Sequence, residues 1–139
     1  MAEVRKFKDA DYECVIAILK EAQLFDDIWE SEDNVKGMIL KDPESVLVAV
    51  EKDKVVGNIF IVAYGPKLHY LFRLAVKKEY RKRGIGTSLI QEALKVVEKR
   101  GVSEVGMYVD AENTQLHSFY EKRGFKKSKN SYFYMWREK

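Results

Sequence analysis

Residues 71–88 read LFRLAVKKEYRKRGIGTS, and this stretch decides the fold. Its first six residues complete an apolar strand pattern that begins at Leu68, and the next seven are mostly basic. From Gly84 onward, apolar residues recur at helical spacing until Gly101, a residue type that commonly ends helices. The apolar positions are Ile85, Leu89, Ile90, Ala93, Leu94 and Val97. The stretch therefore predicts a strand, a basic turn and a helix over residues 84–100.

The basic turn offers a concentrated set of hydrogen-bond donors for a diphosphate. The first N–H groups of a helix have no partner within it, and the helix N-terminus carries a partial positive charge. Gly84 and Gly86 have no Cβ, which lets a phosphate oxygen approach the backbone closely. The cations at 81–83 add charge-assisted hydrogen bonds. We therefore expect residues 81–88 to bind a pyrophosphate group.

Two other phosphate-binding loops do not fit this turn. The loop of nucleoside-triphosphate hydrolases requires a lysine immediately before Ser or Thr, and Gly86 stands there instead, before Thr87. The dinucleotide fingerprint requires a third glycine, and Leu89 occupies that position. The turn therefore predicts a different class of diphosphate ligand.

The rest of the chain predicts an α+β domain with a mixed, mostly antiparallel central sheet. Asp9 or Asp11 is expected to cap the first helix, and Ser31 the second. The expected strands are Glu3–Phe7, Val46–Val50, Val55–Tyr64, Leu68–Val76, Glu104–Val109 and a last one from Phe125 through Tyr132, Tyr134 and Trp136. The other expected helices carry the apolar positions Tyr12, Val15, Ile16, Leu19 and Ala22, then Val35, Met38 and Ile39, and finally span Asn113 to Arg123.

Length and composition favour one globular domain over residues 1–139. The chain is 46% hydrophobic and 34% charged, and its size allows a substantial core. The single cysteine, Cys14, cannot form an internal disulfide and lies on a predicted apolar helix face, where we expect it to be buried. No secretory leader is recognisable and no apolar run suffices to cross a bilayer, so we expect a cytoplasmic protein without a membrane partner.

The charges are distributed unevenly along the chain. Residues 1–60 carry 8 basic and 14 acidic side chains, whereas residues 77–100 carry 8 basic and 3 acidic ones. Residues 121–139 again have a basic excess, 7 against 2. An anionic ligand should therefore bind the later part of the chain.

Two motifs resemble those of the GNAT superfamily of N-acetyltransferases. The pattern RxxGxG at residues 81–86, after the strand ending at residues 71–76, is similar to the acyl-CoA-binding motif of that family. A second motif follows at the expected distance, with Asn113, then Phe119-Tyr120, then Gly124-Phe125. Together with the order of elements, the resemblance covers nearly the whole chain.

The resemblance implies acetyl-CoA as co-substrate and direct attack by a primary amine in a ternary complex. It also implies a sheet that splays after the fourth strand, where the pantetheine arm lies and an N–H at a strand bulge polarises the thioester. Tyr120 matches the tyrosine that protonates the leaving thiolate, and Asn113 matches a residue that orders the arm or a nearby turn. The cofactor-binding positions carried over are Leu74, Ala75, Val76, Arg81, Lys82, Arg83, Gly84, Ile85, Gly86, Thr87, Ser88, Asn113 and Tyr120.

The sequence leaves the general base open. Many family members place a carboxylate on the fourth strand, but the neighbouring positions here are His69, Tyr70, Phe72 and Arg73. A water-relayed base, Glu79, His69 or no dedicated base all fit this pattern. Arg73 could meet a carboxylate on the acceptor. The acidic residues between the first two helices could attract a cationic amine or serve as helix caps; they are Asp26, Asp27, Glu30, Glu32 and Asp33.

Two alternatives come from other functional classes. Because no base is evident, the chain could be an acyl-CoA-binding sensor without turnover. The mixture of cations and aromatic residues after Arg123 superficially resembles a nucleic-acid-binding module, but alternation in a final strand explains it more simply. We expect no nucleic-acid partner and no metal site, since no His and Cys spacing suggests one. The aromatic final strand favours a homodimer.

Overall fold

The computed structural model describes residues 2–129, 135 and 137 of the 139-residue chain. These residues divide into two compact units, Met1–Met107 and Tyr108–Lys139. The first unit contains the sheet and three α-helices, and the second contains one α-helix. Organisation as one domain over residues 1–139 stays a prediction.

The described elements follow the predicted order closely. Two short 3-10 helices, Asp9–Asp11 and Lys78–Tyr80, add to the predicted set. The strands are β1 (Glu3–Lys6), β2 (Val46–Glu51), β3 (Lys54–Tyr64), β4 (Leu68–Val76) and β5 (Glu104–Met107). The α-helices are α1 (Tyr12–Glu21), α2 (Glu32–Lys41), α3 (Ile85–Lys99) and α4 (Thr114–Glu121).

The described sheet is mixed and mostly antiparallel, as the sequence predicts. Its strand order is β1-β2-β3-β4-β5, with antiparallel pairs throughout except for the parallel pair β4 and β5. That parallel pairing runs only from Leu68, opposite Glu104, to Leu71, opposite Met107. The second half of β4, residues 72–76, continues beyond its parallel partner. β5 therefore pairs with only the first part of β4, and residues 72–76 have no partner in β5.

Helices cover both faces of the sheet. On one face, Val15 and Leu19 of α1 join Phe60 and Val48 of the sheet in a buried cluster. On the other face, Gly57 of β3 lies so close to α3 that an added Cβ would be 3.2 Å from Leu89 Cδ1. The buried residues of α3 are Ile85, Leu89, Ile90, Ala93 and Val97. This packing fixes the start of α3 against the end of β4.

Three local predictions need correction or fall outside the described residues. Cys14 is exposed. Around the axis of α1 it lies about 100° from the buried Val15, in the direction away from the buried Ile16, and so falls outside the buried face of the helix. Asp11 precedes α1 but makes no side-chain cap there; its carboxylate accepts the N–H of Lys8 instead. Residues 125–129 form neither strand nor helix. The rest of the predicted last strand, including Tyr132, Tyr134 and Trp136, lies outside the described residues.

Candidate acyl-CoA site

The N-terminus of α3 is shaped to accept an anion. Gly84 is its N-cap, with a left-handed φ of 82°, and provides no side chain to cap the helix. The first intrahelical bond runs from the N–H of Ser88 to the carbonyl of Gly84, at 3.0 Å. The amides of Ile85 and Gly86 precede it and therefore have no acceptor within the helix. No acidic residue stands in the first turn, so nothing there opposes an incoming negative charge.

The preceding turn holds the three predicted cations on the surface. The Nε of Arg81 donates to the carbonyl of Val76 at 2.9 Å, which ties the turn to the end of β4. Lys82 has a left-handed φ of 64°. Arg83 lies over the ring of Tyr80 and 3.5 Å from a carboxylate oxygen of Glu51. Residues 81–83 are exposed, so their charges face solvent beside the helix N-terminus.

The second half of β4 contains a bulge. Asn58 of β3 is opposite Ala75, and Phe60 is opposite Phe72, so β4 fits one more residue into this interval than β3 does. Arg73 lies within it and has a left-handed φ of 56°. The first unit thus contains the bulge, the part of β4 that extends beyond β5, and the N-terminus of α3. The predicted residues 74–76 and 81–88 belong to the same unit.

Arg73 has an internal partner. Its Nε donates to Oε2 of Glu30 at 3.2 Å, and its guanidinium lies 5.6 Å from the ring centroid of Trp29. Glu30 is 4% exposed and also accepts the N–H of Asp26. The Nε of Arg73 thus pairs with a carboxylate of the chain itself, and a contact of Arg73 with a carboxylate of the acceptor stays a prediction.

The other acidic residues of this segment have mostly local roles. Asp26 accepts the N–H groups of Ile28 and Trp29, which lowers the pKa of its carboxyl. Glu32 pairs with Lys36 one helical turn away. The predicted cap of α2 is confirmed, since Ser31 Oγ accepts the N–H of Asn34 at 3.2 Å.

The two residues considered as bases have different surroundings. His69 is 3% exposed, and its Nε2 lies 3.2 Å from Nη1 of Arg100, which also pairs with Asp42. This environment indicates a structural role for His69. Glu79 is exposed in the 3-10 helix that follows β4.

The second unit carries the remaining predicted site residues. Asn113 caps α4, its side-chain oxygen accepting the N–H of Leu116 at 3.1 Å. Tyr120 is 9% exposed and packs edge-on against Phe119 and Phe125, with ring centroids 5.1 and 5.9 Å away. Burial raises the pKa of Tyr120 above its ordinary value, so the phenol holds its proton at neutral pH.

The roles of two residues beside the bulge were not predicted. Glu30 was expected to attract a cationic amine or to cap a helix and not to pair with Arg73, and Asn58 was not expected at the site; its side chain is fully buried and donates to the carbonyl of Arg73 at 2.8 Å. A polar residue within the apolar run from Val55 to Val62 was the available signal for Asn58. In the part of the chain that the structure describes, no group of three or more acidic, His or Cys side chains could hold a metal ion. No helix of that part has the length and apolarity to span a bilayer.

Comparison with known proteins gives consistent results. The family model described as "Acetyltransferase (GNAT) family" matches residues 5–125. An acetyltransferase of Sodalis glossinidius is 31% identical over 86% of this chain and 84% of its own length. N-alpha-acetyltransferase 30 of Schizosaccharomyces pombe is 38% identical over 66% of this chain. The match covers 64% of the length of that relative.

A solved structure is also similar over nearly its full length. The PaiA N-acetyltransferase of Thermoplasma acidophilum, in complex with coenzyme A, superposes with a TM-score of 0.82 at 26% identity. The match covers 94% of this chain and 93% of that one. Since the family model spans residues 5–125, most of the chain, and the fold is shared with an acetyltransferase in complex with coenzyme A, this chain belongs to the GNAT family of acetyltransferases.

Proposed function

We propose that this protein transfers an acetyl group from acetyl-CoA to a primary amine by direct attack in a ternary complex. The observation that carries the proposal is the glycine-capped, acid-free N-terminus of α3 immediately after the bulged edge of β4. A diphosphate at the helix and an extended arm along the strand together require this juxtaposition. Membership of the family and the coenzyme A bound to the similar Thermoplasma protein support the same ligand.

The diphosphate binds at residues 84–88, where it accepts hydrogen bonds from the N–H groups of Ile85 and Gly86, while the exposed cations at 81–83 add charge. The pantetheine arm runs along residues 74–76, pairing with the backbone groups of Leu74 and Val76. An extended ligand added to a strand edge gains main-chain hydrogen bonds in this way.

Acetyl transfer then needs three functions from the site. An amide of the bulge polarises the thioester carbonyl and stabilises the oxyanion that forms as the amine attacks, an effect worth roughly 3 kcal/mol for a single donor. The carbon–sulfur bond breaks, and the hydroxyl of Tyr120 gives its proton to the departing thiolate. The amine loses its proton to water, directly or through Glu79. Asn113 orders the arm or the turn before α4.

The acceptor class remains broad in this proposal. One relative is named an N-alpha-acetyltransferase and another, from Thermoplasma acidophilum, a spermidine N(1)-acetyltransferase, and both names indicate transfer to an amine nitrogen. We propose a primary amine of a small molecule or protein, without a nucleic-acid or membrane partner. Cytoplasmic location and a homodimer stay predictions, which fractionation and sedimentation would test.

A thermal-shift titration tests the ligand. Acetyl-CoA and CoA should both raise the melting temperature, because each binds the folded state. S-acetylpantetheine lacks the diphosphate and should raise it far less at equal concentration. A shift with an oligonucleotide and none with either CoA species would refute the proposal and favour a nucleic-acid-binding module.

Release of CoA thiol over a panel of amines and peptide N-termini tests turnover. We expect at least one amine to accelerate thiol release above the rate with acetyl-CoA alone. Binding of acetyl-CoA without acceleration by any amine would favour the sensor, the alternative that the sequence left open.

A further inference from the structure

The β4 bulge holds a residue in an unfavourable backbone conformation. Arg73 has a φ of 56°, a region that side chains with a Cβ rarely occupy and that persists only where the surroundings impose it. No glycine stands at this position to relieve the strain. The contacts of Arg73 should therefore explain what maintains the bulge.

Two buried polar side chains hold Arg73 from different elements. Asn58 of β3 donates to its carbonyl at 2.8 Å, which restrains the backbone directly. Glu30 accepts from its Nε at 3.2 Å, which restrains the side chain. The side chains of Asn58 and Glu30 are both nearly inaccessible to solvent.

Glu30 is itself anchored in the segment between α1 and α2. Its second carboxylate oxygen accepts the N–H of Asp26 at 2.8 Å. Its carbonyl accepts the hydroxyl of Tyr12 at 2.6 Å. The carboxylate is thus fixed before it meets Arg73, and it joins a segment 43 positions away in sequence to the bulge.

We propose that Glu30 is a positioning residue for acetyl transfer, which acts through Arg73 to fix the bulge amide in the orientation that polarises the thioester carbonyl. This inference rests on the proposed function, because it assigns a purpose to the bulge amide. An oxyanion donor is effective only when it is fixed in advance near the developing charge. Glu30 supplies that fixation from outside the sheet.

The test compares Glu30→Gln with Asp11→Asn. Asp11 is a matched control, since it is a buried carboxylate that also accepts one backbone N–H, from Lys8, and pairs with one arginine, Arg5. It belongs to the 3-10 helix before α1, and its carboxylate bonds to Arg5 and Lys8, which lie outside the bulge. Both substitutions remove one buried charge of a pair, so both should lower stability.

The readout is the carbonyl stretch of acetyl-CoA labelled with ¹³C at the carbonyl, measured by infrared difference spectroscopy. It needs no acceptor. In the wild type, the stretch of bound acetyl-CoA should lie below that of the free compound, because a hydrogen bond weakens the carbonyl bond. Glu30→Gln should return it toward the free value and Asp11→Asn should not. The preference for acetyl-CoA over CoA should fall by about tenfold in Glu30→Gln alone, since only acetyl-CoA offers the thioester carbonyl.

A second variant keeps the test informative if loss of the charge merely loosens the fold. Glycine adopts a φ of 56° without strain, so in Arg73→Gly the remaining bond from Asn58 to the carbonyl of residue 73 should suffice to hold the bulge. The double variant Glu30→Gln with Arg73→Gly should therefore recover the lowered carbonyl stretch that Glu30→Gln alone loses.

The outcomes separate the two proposals. An unshifted carbonyl in the wild type with acetyl-CoA bound would refute the role of the bulge amide in the proposed function. A shifted wild type, with Glu30→Gln equally shifted, would overturn the role of Glu30 alone. A double variant that stays at the free value would also overturn it, because Glu30 would then act by a route other than Arg73.

Discussion

Replacing Gly84 by alanine tests whether the left-handed cap of α3 matters for binding or only for folding. An added Cβ at Gly84 meets no heavy atom within 4 Å, so the substitution causes no clash. Its effect is conformational, because φ is +82° there. Gly101, at the other end of α3, has a φ of +70° and equally open surroundings, which makes Gly101→Ala a matched control.

The expected loss of stability is similar for both variants. Left-handed backbone costs a residue with a Cβ roughly 1–2 kcal/mol. Alanine also stiffens the unfolded chain, which returns about 0.4–1 kcal/mol. The net destabilisation is about 1 kcal/mol, or roughly 3–5 °C in melting temperature for a chain of this size.

The two variants should differ in affinity for coenzyme A. In Gly84→Ala, the strain is relieved by starting the helix later, which turns away the amides of Ile85 and Gly86. Restoring them on binding costs about 1.4 kcal/mol, so the dissociation constant should rise about tenfold. Isothermal titration with CoA measures this directly, and Gly101→Ala should bind like the wild type. Equal dissociation constants for the two variants would refute the assignment of the diphosphate to this turn.

Three further predictions concern two residues of the proposed site and the control position Asp11. Gly86→Asp should abolish CoA binding while leaving the melting temperature nearly unchanged, because an acidic residue in the first turn suits the helix but repels a diphosphate; retained binding by titration would contradict this. Tyr120→Phe should lower kcat more than it raises the dissociation constant for acetyl-CoA, since the hydroxyl acts as the thiolate forms; an unchanged kcat would leave Tyr120 with packing alone. For Asp11, burial would raise the pKa of the carboxyl, but the hydrogen bonds from Arg5 and from the Lys8 amide outweigh burial and lower that pKa. The loss of stability caused by Asp11→Asn, measured by urea unfolding, should therefore be full at pH 7 and shrink as pH falls below about 4. A loss of stability that does not change with pH would contradict the lowered pKa.

The helices, turns and caps that depend on residues close together in the chain could be predicted from local sequence patterns. The 3.6-residue spacing of Ile85, Leu89 and Val97 identified α3, and Gly84 with its cationic neighbours located the turn before it. Ser31 predicted its own helix cap because the capping bond spans only three residues. Such signals are short in range, and the structure preserves them.

Contacts between distant segments left no such signal. The pair of Glu30 and Arg73 joins residues 43 positions apart, and Glu30 looks like its surface neighbours in an acidic run. The left-handed conformation of Arg73 is imposed by these contacts and by Asn58, not by the residue type. Cys14 shows the same limit on a smaller scale, since helical spacing located the apolar stripe of α1 but not its edge.

The partial pairing of β4 with β5 bears on how the protein behaves in concentrated solution. Beyond Leu71, the described residues provide no further β5 partner for β4, so its backbone groups form an edge onto which another extended chain could add. Arg73 breaks the regular geometry of that edge, as bulges in natural sheets commonly do where self-association must be discouraged. A pantetheine arm bound there would shield the same groups, so preparations kept with CoA should precipitate more slowly on storage than ligand-free ones.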